Sequence, residues 1–415
     1  LGFARKQTWL CQYRRARGND SDGSTFSRGL LPLSASLFSG VVKNGEIGLH
    51  LHMTYRVNAL LLGLFFLLHG YGEEGFKPLF NEKTLEGWRN INCAPNTWSV
   101  KDGMIHCTGK PIGELRTLKM YENFILEVEW RHLKPRGNAG IFVWADAYTA
   151  KGQPFHRGVE VQVLENAYGS GRGHTTHGDI FPIHGAKMTP VNGRGGSRAF
   201  PTEDRSKPSP QWNHYRIVCN NGEVSLAVNG KVVTRGKAAK PRKGYICLES
   251  EGSPVQFRNM KFKELPSTNP KPEETAKAEA GFHSLYTGVD LSGWKSDKPG
   301  EWTVNDWRLT TKGGSVLRTE KKFTSYEMFA DFRADGKEAP LELPNIGAIG
   351  ELKNLSKGWN RVQVTRQLGQ IRVELNGKLV SESKLRESGP LKPGPITLSP
   401  KVATQFANIF IKELK

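Results

Sequence analysis

An all-β protein built as two antiparallel β-sandwiches in tandem is what this sequence predicts, on three observations. Short runs such as ILEVEW, HYRIVC and VSLAVNGKVV alternate apolar and polar residues with the two-residue period of a strand. Among 415 residues there are 46 glycines and ten tryptophans, and no helical period of useful length, which favours strands joined by abundant turns. The chain also matches itself, and the matching runs follow one another in the same order in both halves.

The matches define the elements. LFNEKTLEGW (Leu79–Trp88) pairs with LYTGVDLSGW (Leu285–Trp294), and NTWSVKDGMIHCT with GEWTVNDWRLTT, so that Trp98 aligns with Trp302. FILEVEWR matches MFADFR; QWNHYRIVCNNGEVSLAVNGKVV matches GWNRVQVTRQLGQIRVELNGKLV; FRNMKFKEL matches FANIFIKEL. In the longest pair the Asn-Gly of NGK predicts a tight hairpin turn, because both residues accept the positive φ that such a turn demands. Between the copies, PSTNPKPEETAKAEAG is rich in proline, lysine and acids and reads as a solvated linker. The expected division is 76–265 for the first sandwich, 266–280 for the linker and 281–415 for the second.

The N-terminus reads differently. From Met53 the chain runs through Arg56 into an apolar stretch, Val57 to Leu68, followed by Gly70 and Gly72. That stretch is too short to span a bilayer but suits the core of an export signal. Residues 1–52 carry no pattern, so they are expected to be a non-native upstream extension. Residues 53–72 would be a signal peptide starting at Met53, making the protein secreted or periplasmic with no stable membrane span after cleavage. A single membrane anchor with a polar tail is the alternative. Removing the leader leaves Cys93, Cys107, Cys219 and Cys247, which allow three pairings or four buried free thiols. No CxxC is present for a thiolate metal site.

The formal net charge is +19, yet the basic residues are spread along the chain with acids between them. No RNP, zinc-finger or helix-turn-helix pattern accompanies them, so no nucleic-acid partner is expected. GxSxG, P-loop, Rossmann and SxxK motifs are absent, which removes support from serine-hydrolase, nucleotide and nicotinamide chemistry.

The two copies differ in one place. Arg131 and Trp212 are 81 positions apart, whereas Arg333 and Trp359 are 26 apart. The extra segment of the first copy holds His132, His156, His174, His177 and His184, five of the eleven histidines in the chain. Loops on a rigid β scaffold are where sites usually lie, so the chemistry is expected here. In RGVEVQVLEN the valines 159, 161 and 163 take one face, leaving Glu160 and Gln162 on the other as a ligand side for sugar hydroxyls. If ILEVEWR and GIFVWAD share a sheet, Trp144 or Phe142 offers a flat surface for the C–H face of a sugar. HTTHGDIFPIHGAK adds imidazoles, Asp179 and Lys187, with His177 and Asp179 the stronger pair. Arg198 and Arg205, near prolines, could clamp an anionic oxygen. Solvent-exposed strand faces, histidines bonded to loop backbone and surface ion pairs are the bland readings of the same residues.

Taken together, LFNEKTLEGW, WSVKDGMIHC, GNAGIFVWAD, GVEVQVLEN, HGDIF, QWN and FRNMKFKEL resemble the 3-keto-disaccharide hydrolase family, over about 76–265. The second copy matches only in its outer strands and lacks GVEVQ and HGDI, so it looks degenerate. The resemblance implies a concanavalin A-like jelly roll whose concave sheet receives sugar, and cleavage of 3-keto-glycosides by hydrolysis or 1,2-elimination. It implies Glu160, His177 and Asp179 as catalytic candidates. Asn138, Trp144, Gln162, Glu165, Lys187 and Arg198 are the substrate-binding candidates. A divalent metal ion held by Glu160 and His177 is a further expectation. The sequence departs from its relatives at Glu165, where aspartate is frequent, and near Trp144, where arginine is. The competing reading is a non-catalytic, lectin-like carbohydrate-binding or cell-surface module.

Overall fold

The computed structural model describes residues 74–171, 173–175, 177–334, 341–343, 347–348, 355–384 and 392–415. The expected leader and the segment before it lie outside these residues. Among the described residues no helix is long and apolar enough to cross a membrane.

Two antiparallel β-sandwiches follow one another along the chain. The first sets a nine-stranded sheet against a six-stranded one. At the centre of the larger sheet, Phe124–His132 lies between Asn213–Asn220 and Val255–Glu264. Its alternation dictates its burial: Phe124, Leu126, Val128 and Trp130 point inward, and Ile125, Glu127 and Glu129 outward. The smaller sheet runs Trp88–Ile91, Gly113–Thr117, Tyr245–Ser250, Asn138–Ala145, Gly158–Leu164 and Ile180–Ile183. Val159, Val161, Val163, Ile246 and Leu248 project from it into the same core. Each fully buried side chain of this size contributes about 1.5–3 kcal/mol. The NGK hairpins form as expected, with Asn229 at φ 47° and Gly230 at φ 90° joining Glu223–Val228 to Lys231–Lys240.

Among the described residues the second sandwich sets eight strands against five. Its larger sheet is centred on Tyr326–Ala334, between Thr404–Glu413 and Asn360–Gln367. The outward side chains of this sheet pack on the first sandwich. Phe329 and Phe410 stack at 5.0 Å and meet Ile91 and Tyr148. Asn408, at φ 51°, accepts from Asn92 and Thr149 (both 2.7 Å) and donates to Asp331, Ala150 and Gln153. A buried amide with this many partners holds one orientation.

The connecting segment is docked along the first sandwich rather than freely solvated. Glu122 accepts from Ser267 (2.6 Å) and Thr268 (2.7 Å), Arg242 pairs with Glu274, and Glu279 meets the buried Arg116. Its acids answer fixed cations on the sandwich, so the composition that reads as solvated serves attachment. The four cysteines are free and buried. Burial raises all four thiols, Cys107 to about 11.

Candidate functional site

The six-stranded sheet has an outward face that the core does not use, and its polar residues come from alternation on several strands. Register places Gly140 opposite Gln162 and Phe142 opposite Glu160, and Glu249 opposite Glu114. On the far side of Gly158–Leu164, Glu160 is opposite Phe181, while Gln162 N–H donates to the Asp179 carbonyl at 2.9 Å. Because successive side chains alternate in direction, Glu160 and Gln162 face outward as the valines face in.

Loop 146–157 folds back over part of this face. Phe155 lies 5.9 Å from Phe142, and His156 reaches Glu114 and Cys247. The remaining part gathers Glu160, Gln162, Asn138, Glu249, Glu251, Asp179 and Arg198. Gln162 Nε2 donates to Asn138 Oδ1 at 2.8 Å, and Asn138 Nδ2 donates to Glu251. Gly140 sits between two carboxylates: a Cβ there would be 2.8 Å from Glu160 Oε1 and 2.8 Å from Glu249 Oε2. The two oxygens therefore lie no farther apart than twice that distance. Glu249 Oε2 has no hydrogen-bond partner.

Crowding of acids in a shielded place makes the charged forms costly. Burial, then Glu251, push the Glu160 carboxyl well above the usual carboxylate range, against the pull of Arg198. Burial, then Glu251 and Glu160, do the same to Glu249. Burial raises Glu251 to about 7. Arg198 Nη1 lies 2.8 Å from Asp179 Oδ2, and its guanidinium is 3.4 Å from the Phe181 ring centre. Asp179 also accepts from Thr175 N at 3.0 Å and from Thr175 Oγ1. The arrangement offers carboxyl groups held above their ordinary range, a fixed cation and amide donors on one wall. It can move protons and stabilise an oxyanion.

Other expected residues are placed elsewhere. Trp144 is fully buried in the core, at φ 56°, with Nε1 donating to the Glu122 carbonyl at 2.7 Å. The irregular pairing of Asn138–Ala145 with Tyr245–Ser250 turns it inward, and it cannot stack on a sugar. FILEVEWR and GIFVWAD belong to different sheets, so the premise for Trp144 does not hold. Phe142 is on the outward face but fully covered. The Glu165 carboxylate is occupied by backbone N–H groups of Arg136 (2.6 Å), Ala167 (2.8 Å) and Ser209 (3.0 Å), which outweigh burial and hold it below its ordinary value. Its role is to cap the turn at Asn166–Tyr168. Lys187 is exposed at the start of Lys187–Pro190, in the larger sheet.

His177 is engaged by the loop 203–206. Its Nδ1 lies 2.6 Å from Ser206 Oγ, and its Nε2 lies 3.0 Å from Asp204 Oδ1 and 3.2 Å from Ser206 N. Burial keeps it below its ordinary pKa despite Asp204 and Asp179. It ties the 203–206 loop down, and among the described residues the group of three or more possible metal ligands found does not include it or Glu160. His174 is bonded to the Gly169 carbonyl at 3.1 Å. Arg205 holds Glu203 and the Val228 and Asn229 carbonyls. His184 lines a cavity of about 650 Å³ between the sandwiches, with Tyr148, Lys151, Arg157, Phe282 and Arg361. That cavity does not include the acidic group.

Glu249 and Glu251 are what the sequence reading missed. Their signal is the alternation of YICLES, where Ile246 and Leu248 go inward and Cys247 and Glu249 outward, the same pattern that singled out Glu160 and Gln162.

The fold and this face define residues 77–264 as an antiparallel β-sandwich with an acid-lined outer sheet. Residues 75–263, which form the first sandwich, match the model of the 3-keto-alpha-glucoside-1,2-lyase-like domain. No curated protein matches the chain. Among solved structures, a "putative glycosyl hydrolase" from Parabacteroides distasonis is similar at 22% identity, covering 46% of this chain and 95% of its own, with a TM-score of 0.37. A carbohydrate-binding module from Bacillus subtilis is similar at 11% identity, covering 43% and 96%, with a TM-score of 0.32. A β-glucanase from Bacillus licheniformis is similar at 12% identity, covering 46% and 97%, with a TM-score of 0.30.

Proposed function

We propose that the first sandwich cleaves glycosides already oxidised at C3, by removing the C2 proton. The observation that carries this reading is the meeting of Glu160 with Glu249 and Glu251, beside the Arg198–Asp179 pair. A ketone at C3 acidifies the C2 hydrogen. Glu160 takes that proton, and the C–H electron pair becomes the enolate, whose oxygen Arg198 stabilises. The enolate then expels the C1 substituent: the C1–O bond breaks, the oxygen keeps the pair, and Glu251 protonates it. Elimination leaves an unsaturated 3-keto sugar and an alcohol; addition of water would complete a hydrolysis. Asp179 acts here as the holder of Arg198 rather than as a partner of His177.

Asn138 and Gln162 supply the donors and acceptors that orient ring hydroxyls. The second sandwich, which lacks GVEVQ and HGDI, is assigned a packing role. Export through a leader beginning at Met53 belongs to the same reading, and the N-terminal residue of the mature chain tests it.

The test is incubation of the purified protein with a 3-keto-glucoside, following release of the alcohol, for the parent and for Glu160→Gln. Proton transfer to a positioned group contributes about 10²–10⁴-fold, so the variant should lose that factor while keeping its circular dichroism. Saturable sugar binding without product would establish the lectin-like reading instead.

A further inference from the structure

Under loop 146–157, Glu114, His156 and Cys247 bring one ligand atom each to within 4.8 Å of one another. All three are fully buried. They arrive from three elements: Glu114 from Gly113–Thr117, Cys247 from Tyr245–Ser250 next to it, and His156 from the loop that folds over both.

The orientation of the imidazole is informative. His156 Nε2 lies 3.3 Å from the Ala147 carbonyl, which can only accept, so Nε2 carries a proton. Nδ1 faces Glu114 Oε2 and, at 3.9 Å, Cys247 Sγ. Metal-bound histidines are commonly held this way, the far nitrogen donating to a carbonyl so that the near one is free to ligate. Glu114 provides a second, independent sign: its Oε1 is buried without a hydrogen-bond partner, although Oε2 accepts from His156 N at 3.2 Å. Leaving a carboxylate oxygen dry and unpartnered is costly. A cation among the three side chains removes that cost.

We infer that Glu114, His156 and Cys247 form a structural zinc site that pins loop 146–157 to the six-stranded sheet. Thiolate, imidazole and carboxylate together are a donor set that suits Zn²⁺. On binding, the Cys247 S–H bond is broken, its electron pair goes to the metal and its proton goes to solvent. No residue of the acidic site takes part. The rival arrangement places a second proton on His156, giving a buried imidazolium–carboxylate pair.

The experiment uses the full chain, unfolded with chelator and refolded with Co²⁺, with Zn²⁺ or with neither. The site predicts one equivalent of bound metal, a thiolate-to-cobalt charge-transfer absorption, and a higher thermal midpoint with zinc. Cys247→Ser should abolish the absorption. Cys219→Ser, which removes a thiol elsewhere in the core, should keep it, and so should Glu160→Gln, which separates this site from the proposed catalysis. If the serine variant fails to fold, the parent spectrum decides. Native circular dichroism with no bound metal, no charge-transfer band and an unchanged thermal midpoint would overturn the zinc site and leave the proton arrangement.

Discussion

Glu160 and Glu249 extend their carboxylates toward one point above Gly140, from strands that flank Asn138–Ala145 on either side. The absent side chain at Gly140 is what lets the acids approach. The nearest atoms a methyl group there would meet belong to the side chains of Glu160 and Glu249 rather than to backbone. Gly140→Ala should therefore leave thermal stability nearly intact while turnover of a 3-keto-glucoside falls about 10²-fold, as misplacement of a catalytic group by about 1 Å can cause. Unaltered turnover with normal stability would show that the two acids need not meet.

The same acids set a pH dependence. Glu160, Glu249 and Glu251 all have folded pKa values above their unfolded ones, Glu251 at about 7. Between the unfolded carboxyl value and about 7 the folded protein holds more protons than the unfolded chain, so stability declines as pH rises. The contribution is complete below the unfolded value and is lost as pH rises through the folded one. Burial lowers the pKa of several histidines, which act in the opposite sense, so the acids are read by difference: the thermal midpoint of the parent relative to that of Glu251→Gln should fall between pH 5 and pH 7. A difference between parent and variant that rises over that window would contradict the assignment.

Trp144 distinguishes a core role from a sugar platform. Trp144→Ala should cost about 3–5 kcal/mol in denaturant unfolding. Trp144→Phe, which loses the bond to the Glu122 carbonyl but keeps most of the volume, should preserve the substrate KM wherever the protein is folded. A large rise in KM for the phenylalanine variant would return Trp144 to the binding surface.

For His177 the expected effect is structural. Replacing it by alanine removes the partner of Ser206 and should destabilise the sandwich by about 1–3 kcal/mol. Turnover should fall by less than in Glu160→Gln when both are assayed below their unfolding temperatures. An equal or greater loss would make His177 part of the proton-transfer machinery.

Asn408 joins the two sandwiches. Asn408→Ala removes one hydrogen-bond partner each from the buried Asp331, Thr149 and Asn92 and should cost about 1–3 kcal/mol. Urea unfolding should separate into two transitions, with the second sandwich released first. A single transition at the parent midpoint would show that this contact does not couple them.

Periodicity and turn chemistry carried the fold. Strands such as FILEVEWR and GVEVQVL announce themselves because a two-residue period is local, and Asn-Gly demands its turn whatever surrounds it. For the same reason Glu160 and Gln162 could be assigned to the face opposite the valines from sequence alone. The companions of Glu160 were not legible. Glu249 follows it by nearly ninety positions, and register across Asn138–Ala145, not spacing, brings the two together. Trp144 misled because one irregular pairing with Tyr245–Ser250 reverses its direction, and His177 because its partner is a serine in a different loop. Which way a strand faces is a local property of the chain. Which side chains meet depends on pairing between distant segments, and that was decided only when the sheets assembled.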